Sequence, residues 1–136
     1  MNNTITVEST VRADVKKVWE YWNAPEYSKQ WMHASEDWMC PKAVNDVRVG
    51  GHFSYTLAAK DGSTAFDLNG IYTAVEEGKK LEYTLEDGRK VSVNFTETPE
   101  GVHIVQIFEM EHVNTEELQR QGWQSTLNNF KAHVEK

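Results

Sequence analysis

The last third of the chain changes its apolar period once, and that change limits the folds open to it. Val91, Val93 and Phe95 alternate with polar residues, and Val102, Ile104, Gln106, Phe108 and Met110 share one side of a second run. From Trp123 onward the spacing becomes helical, through Leu127, Phe130 and Val134. A period of two marks strands and a period near 3.6 marks a helix. Asn114 is the expected N-cap of this helix, with Glu117 reaching back as in a capping box. Strands with one apolar face need a cover. A helix of about 20 residues at 1.5 Å each has the length to cross such a sheet, and its stripe supplies the apolar surface.

Upstream, Ile5, Val7, Ser9 and Val11 share one side of a first strand. Asp14 caps a helix with apolar positions Val15, Val18, Trp19 and Trp22, and Pro25 suits the first turn of a second short helix ending near Trp31. Strands follow to residue 111. Val44 to Val49 alternates weakly before Gly50-Gly51. Phe53, Tyr55 and Leu57 share a side, as do Phe66, Leu68, Gly70 and Tyr72, and then Leu81, Tyr83 and Leu85. Asp61-Gly62, Glu77-Gly78 and Asp87-Gly88 are turn signals. Gly70, in mid-strand, predicts a bulge or bend that curls the sheet. Met32 to Pro41 is expected to form a lid or mouth. The order predicts an α+β fold of one domain over residues 1–136: a curved antiparallel sheet of about six or seven strands wrapped around a long C-terminal helix, with two short helices after the first strand.

The net charge of −7 excludes the basic stripe that a nucleic-acid surface needs. No apolar run approaches the roughly 18 residues of a membrane span. Met1-Asn2-Asn3-Thr4 lacks the order of a signal peptide, so the expected location is cytoplasmic. One cysteine, Cys40, excludes an internal disulfide, and it is expected as a partly buried small hydrophobe. The histidines, His33, His52, His103, His112 and His133, form no close helical pair and no metal-binding motif, and His52 and His103 are expected to face solvent. No metal and no cofactor are expected. Ser54, Ser63 and Ser125 sit in no nucleophile elbow.

Gln106 falls in register with Ile104 and Phe108, which makes it an inward polar group. Tyr55, Tyr72 and Tyr83 share apolar faces, while Glu109 and Glu111 lie opposite. Such groups either satisfy one another within the core or orient a ligand. Trp19, Trp22, Trp31, Trp123 and Phe130 divide in the same way between core and pocket wall, with Trp123 and Phe130 expected on the wall.

Ala13-Asp14-Val15-Lys16-Lys17-Val18-Trp19 resembles the opening of START-like (SRPBCC) domains, with Asp14 where their proline stands. Pro25-Glu26 with Trp31 resembles their second helix, and Gly50-Gly51-His52-Phe53, Asp61-Gly62 and Gly70-Ile71-Tyr72 resemble their central hairpins. Gly122-Trp123 with Leu127 is similar to the final helix of the branch related to the activator of heat shock protein 90 ATPase. The resemblance implies a helix-grip fold with a cavity between sheet and helix. The leading expectation is a non-catalytic module that binds a small, largely hydrophobic molecule through Tyr55, Phe66, Tyr83, Phe108, Trp123, Leu127 and Phe130, with Gln106 as polar handle. A chaperone-associated interaction protein is the alternative, and a cyclase- or hydrolase-like enzyme a third.

Overall fold

In a computed structural model, described over residues 3–136, ten elements follow one another. They are β1 (Thr4–Val11), α1 (Val15–Asn23), α2 (Pro25–Trp31), β2 (Trp38–Asn45), β3 (His52–Ala59), β4 (Ala65–Glu76), β5 (Lys80–Leu85), β6 (Lys90–Thr98), β7 (Gly101–Glu109) and α3 (Glu116–Val134). Met1 and Asn2, the start of the segment read for a signal peptide, lie outside the described residues. The strands form one antiparallel sheet in the order β1-β7-β6-β5-β4-β3-β2. Strands β2 to β7 pair as successive hairpins, and β1 returns to β7 in register from Thr4↔Glu109 to Val11↔Val102. The sheet curls around α3, which is the helix-grip architecture.

Local chemistry sets the two short helices. Asp14 accepts a hydrogen bond from the Lys17 N–H at 2.8 Å, and Pro25 occupies the first turn of α2. Trp31 is nearly fully buried, and its indole N–H donates to the Tyr21 carbonyl at 2.9 Å. A buried indole with its N–H satisfied stabilises a core at no polar cost.

Three expectations need correction. The cap of α3 is Thr115, whose hydroxyl accepts from the Leu118 N–H at 3.2 Å. Asn114 instead offers its carbonyl to the Gln119 amide, and Glu117 pairs with Gln121 rather than reaching back. The strand expected over residues 44–49 lies earlier, at Trp38–Asn45, so part of the expected lid is an edge strand. Its register shifts between Met39 and Lys42, around Pro41, and a proline is tolerated at such an edge because no ladder N–H is needed there. Gly70 is not the bulge of β4, which falls between Tyr72 and Ala74. Gly70 instead makes room for a ring: a Cβ there would lie 2.4 Å from Phe53 Cζ.

Helix α3 lies across the concave face and also closes the free edge of β1. The Gln124 side-chain amide donates to the Glu8 carbonyl at 3.1 Å, and Lys131 Nζ donates to the Thr10 carbonyl at 2.5 Å. The Arg12 N–H donates to Glu135 at 2.8 Å. These contacts occupy backbone groups that an open edge would present to other chains. Beneath α3, Leu127, Phe130 and Val134 pack with Ile5, Val7, Val93 and Ile104 into the main core.

Candidate functional site

Toward the N-terminal half of α3, the helix and the sheet do not mesh. A pocket of about 350 Å³ lies between them. Its helix side is Leu118, Gly122, Trp123, Thr126 and Leu127; its sheet side is Phe53, Tyr55, Leu57, Leu68, Tyr83 and Gln106. Met32, His33 and Ala34, after α2, form one border, and Arg89, Glu111 and Asn114 form another. The walls are mostly apolar, with few polar groups among them, which is the usual makeup of a small-molecule site.

The polar groups are accounted for one by one. Tyr83 is half-buried and lines the pocket. Burial pushes its hydroxyl up to about 12, and a hydrogen bond with the Gln106 side chain opposes this rise. Gln106 itself is buried. Burial also raises the Tyr55 hydroxyl well above the ordinary phenol value, with Tyr72 and Tyr83 adding to the rise and Ser28 opposing it by a hydrogen bond. Tyr72 is raised chiefly by burial while its hydroxyl donates to Asn45 at 2.6 Å. All three phenols therefore stay protonated at neutral pH and act as hydrogen-bonding groups. Gln119 is nearly sealed and spends its amide on the β7–α3 turn: Oε1 accepts from the Glu111 N–H, and Nε2 donates to the Glu111 and Asn114 carbonyls. On the opposite border, Asn129 Nδ2 donates to the His33 carbonyl at 2.5 Å and lies 3.1 Å from His33 Nδ1. A carbonyl only accepts, so the Asn129 nitrogen is a donor there.

Six of the eight residues singled out in the sequence, Tyr55, Phe66, Tyr83, Gln106, Trp123 and Leu127, line this pocket. Phe66 does so from the rim: it is 52% exposed and meets the Trp38 ring edge-on at 5.9 Å. Phe108 and Phe130 stand behind the wall. Phe108 is buried under Trp123, the two rings stacked at 3.9 Å. Phe130 is sealed between Trp22 and Trp31, at 4.9 and 4.8 Å. The α3 stripe is wider than the arc that borders the pocket, and Phe130 falls on the part that meshes with the core. Met32, His33 and Ala34 fall in the segment expected as the mouth and border the pocket. Sequence reasoning did not single out Phe53, Leu57, Leu68 or Arg89; the first three were legible as inward strand positions, whereas Arg89 comes from a connecting segment with no periodic signal. Among the described residues, no group of three or more His, Cys, Asp or Glu side chains is placed to hold a metal ion, and no helix is long and apolar enough to cross a membrane.

The model of the family described as "Activator of Hsp90 ATPase homolog 1-like protein" matches residues 12–135. The chain belongs to this family. It is thereby a member of the START-like (SRPBCC) superfamily, in its activator-like branch. The solved structure of an AHSA1-like protein from Aeromonas hydrophila is 38% identical, with 98% of this chain and 92% of that one covered and a TM-score of 0.92. A protein from Cytophaga hutchinsonii is 46% identical over 98% of this chain and 92% of its own, at a TM-score of 0.81. A Chromobacterium violaceum protein at 22% identity, covering 98% and 99%, has a TM-score of 0.88 and shares the fold. No protein of curated function matches the chain.

Proposed function

We propose that this family member binds a small, largely apolar molecule in the pocket between the sheet and α3. The observation that carries the reading is the unfilled space itself. Cores pack to crystal density, yet here Phe53, Trp123 and Leu127 border about 350 Å³ that no side chain occupies, with the Tyr83–Gln106 pair placed among them. Apolar walls supply the driving force and the polar pair supplies orientation. Trp22, Trp31 and Trp123 border the space and report on its contents. Titration with a panel of lipids, aromatics and polyketides, followed by tryptophan fluorescence, is expected to give a saturable change with at least one class. Gly122→Leu blocks the space from a wall position where an added Cβ meets nothing within 4 Å, and is expected to abolish that change. A silent panel contradicts the reading.

The family's description favours a second reading, association with a chaperone of the heat shock protein 90 class. Binding would then use an outer surface. The chaperone's ATPase rate with and without this protein tests it, and an unchanged rate removes it.

A further inference from the structure

The chemistry of the pocket mouth selects among apolar guests. Among the described lining residues, Arg89 carries the only permanent positive charge. It follows the Asp87-Gly88 turn, and its side chain is only 21% exposed. Asp87 holds the guanidinium from one side, accepting from Nε at 2.7 Å, and also accepts from the Arg89 backbone N–H at 3.1 Å. The two Nη nitrogens have no hydrogen-bond partner among the described residues, and neither is sealed from solvent. A guanidinium fixed at Nε with both Nη groups free presents donors suited to a planar carboxylate. Asp87 offsets part of the guanidinium charge through Nε but occupies neither Nη group. Glu111 shares the mouth, with Oε1 accepting from the Asn114 N–H at 2.7 Å, and no ion pair joins it to Arg89. Two acidic neighbours disfavour a dianionic head such as a phosphate monoester and leave room for a single negative charge.

We propose that the guest is an apolar monocarboxylate whose body fills the pocket and whose head pairs with the free Nη groups of Arg89. This rests on the pocket-binding reading above and names the ligand class. Size follows from volume: at about 30 Å³ per water-sized unit, the space holds on the order of a dozen non-hydrogen atoms.

Decanoate and 1-nonanol carry the same nine-carbon body and differ in the head, so the pair separates the two claims. Both are titrated into the full chain near neutral pH and followed by calorimetry. The wild type is expected to bind decanoate roughly tenfold more tightly than nonanol, the scale of one charge-assisted hydrogen-bond pair. Arg89→Gln is expected to bring the two affinities to within about threefold, and Arg89→Lys to keep part of the preference. The thermal midpoint of each variant checks its fold. If Arg89→Gln does not fold, the decanoate preference in Arg89→Lys, and its decline with added salt in the wild type, decide the matter. Equal affinities in the wild type, or a preference that survives Arg89→Gln, overturn the carboxylate inference and leave the pocket reading standing. Failure of both probes to bind overturns the monocarboxylate inference, and the pocket reading then stands or falls with the wider panel.

Discussion

Replacing Gly70 by alanine tests how the sheet supports the pocket. The new Cβ would lie 2.4 Å from Phe53 Cζ, 2.5 Å from Cε2 and 3.1 Å from the Thr84 carbonyl oxygen. Carbon atoms rest about 3.5–4.0 Å apart, so the Phe53 ring must retreat by more than ~1 Å. Its retreat is hemmed by Tyr55, Tyr72 and Tyr83, whose ring centroids stand 5.4, 5.4 and 4.9 Å away. Overpacking of this kind costs about 1–3 kcal/mol, and alanine recovers about 0.5–1 kcal/mol over glycine in a strand interior, leaving a net loss of roughly 0.5–2 kcal/mol. Phe53→Leu removes the two clashing atoms. In that background Gly70→Ala is expected to be neutral or stabilising by about 0.5 kcal/mol, which gives a coupling of about 1–2 kcal/mol. Urea unfolding of the four proteins, with unchanged m-values, measures each term. A Gly70→Ala loss equal in both backgrounds, or no loss in the wild type, refutes the close-approach account.

Three further outcomes are expected. Gly122→Ala stabilises the protein by about 0.5–1 kcal/mol, because a glycine inside a helix costs about that much and no atom lies within 4 Å of the new methyl; thermal unfolding reads it. The raised Tyr83 phenol favours the folded state fully below the unfolded value near 10, and that contribution is lost as pH rises toward about 12. Alkaline unfolding is therefore expected to steepen above pH 10, and Tyr83→Phe to flatten it by up to about 1.4 kcal/mol per pH unit. Glu135→Ala removes the acceptor of the Arg12 N–H, so hydrogen exchange at that amide is expected to speed up while the Val93 amide in the core stays protected.

Where the determinants are local, the sequence predicts the structure residue by residue. Asp14 and Pro25 act on backbone groups within a few positions of themselves, and α1 and α2 start where those residues place them. Strands β6 and β7 alternate cleanly because one face meets the core and the other is more exposed. Strand β2 escapes the same reading: Val44 is 54% exposed, Pro41 interrupts the run, and an edge strand with a register shift has no steady alternation. The cap of α3 shifts by one residue because Asn114 and Thr115 are both competent caps, and nothing local says that Asn114 will be used by Gln119. At the site, inward direction is readable for Tyr83, Gln106 and Leu127. Depth is not. Whether an inward ring borders the space or backs it depends on where helix and sheet part, and this separates Trp123 from Phe108 and Leu127 from Phe130. Arg89 reaches the mouth only through the pairing of β5 with β6, a long-range property of the fold.

Residue-resolved NMR shifts during a titration of the uniformly labelled protein with decanoate test the guest-binding account most directly. The account predicts saturable shifts concentrated at Phe53, Tyr83, Gln106, Gly122 and Leu127, around the hollow, with His52 and Ile71 on the outer face of the sheet unmoved. Shifts centred on that outer face, or no saturable shift up to the solubility of the probe, contradict it.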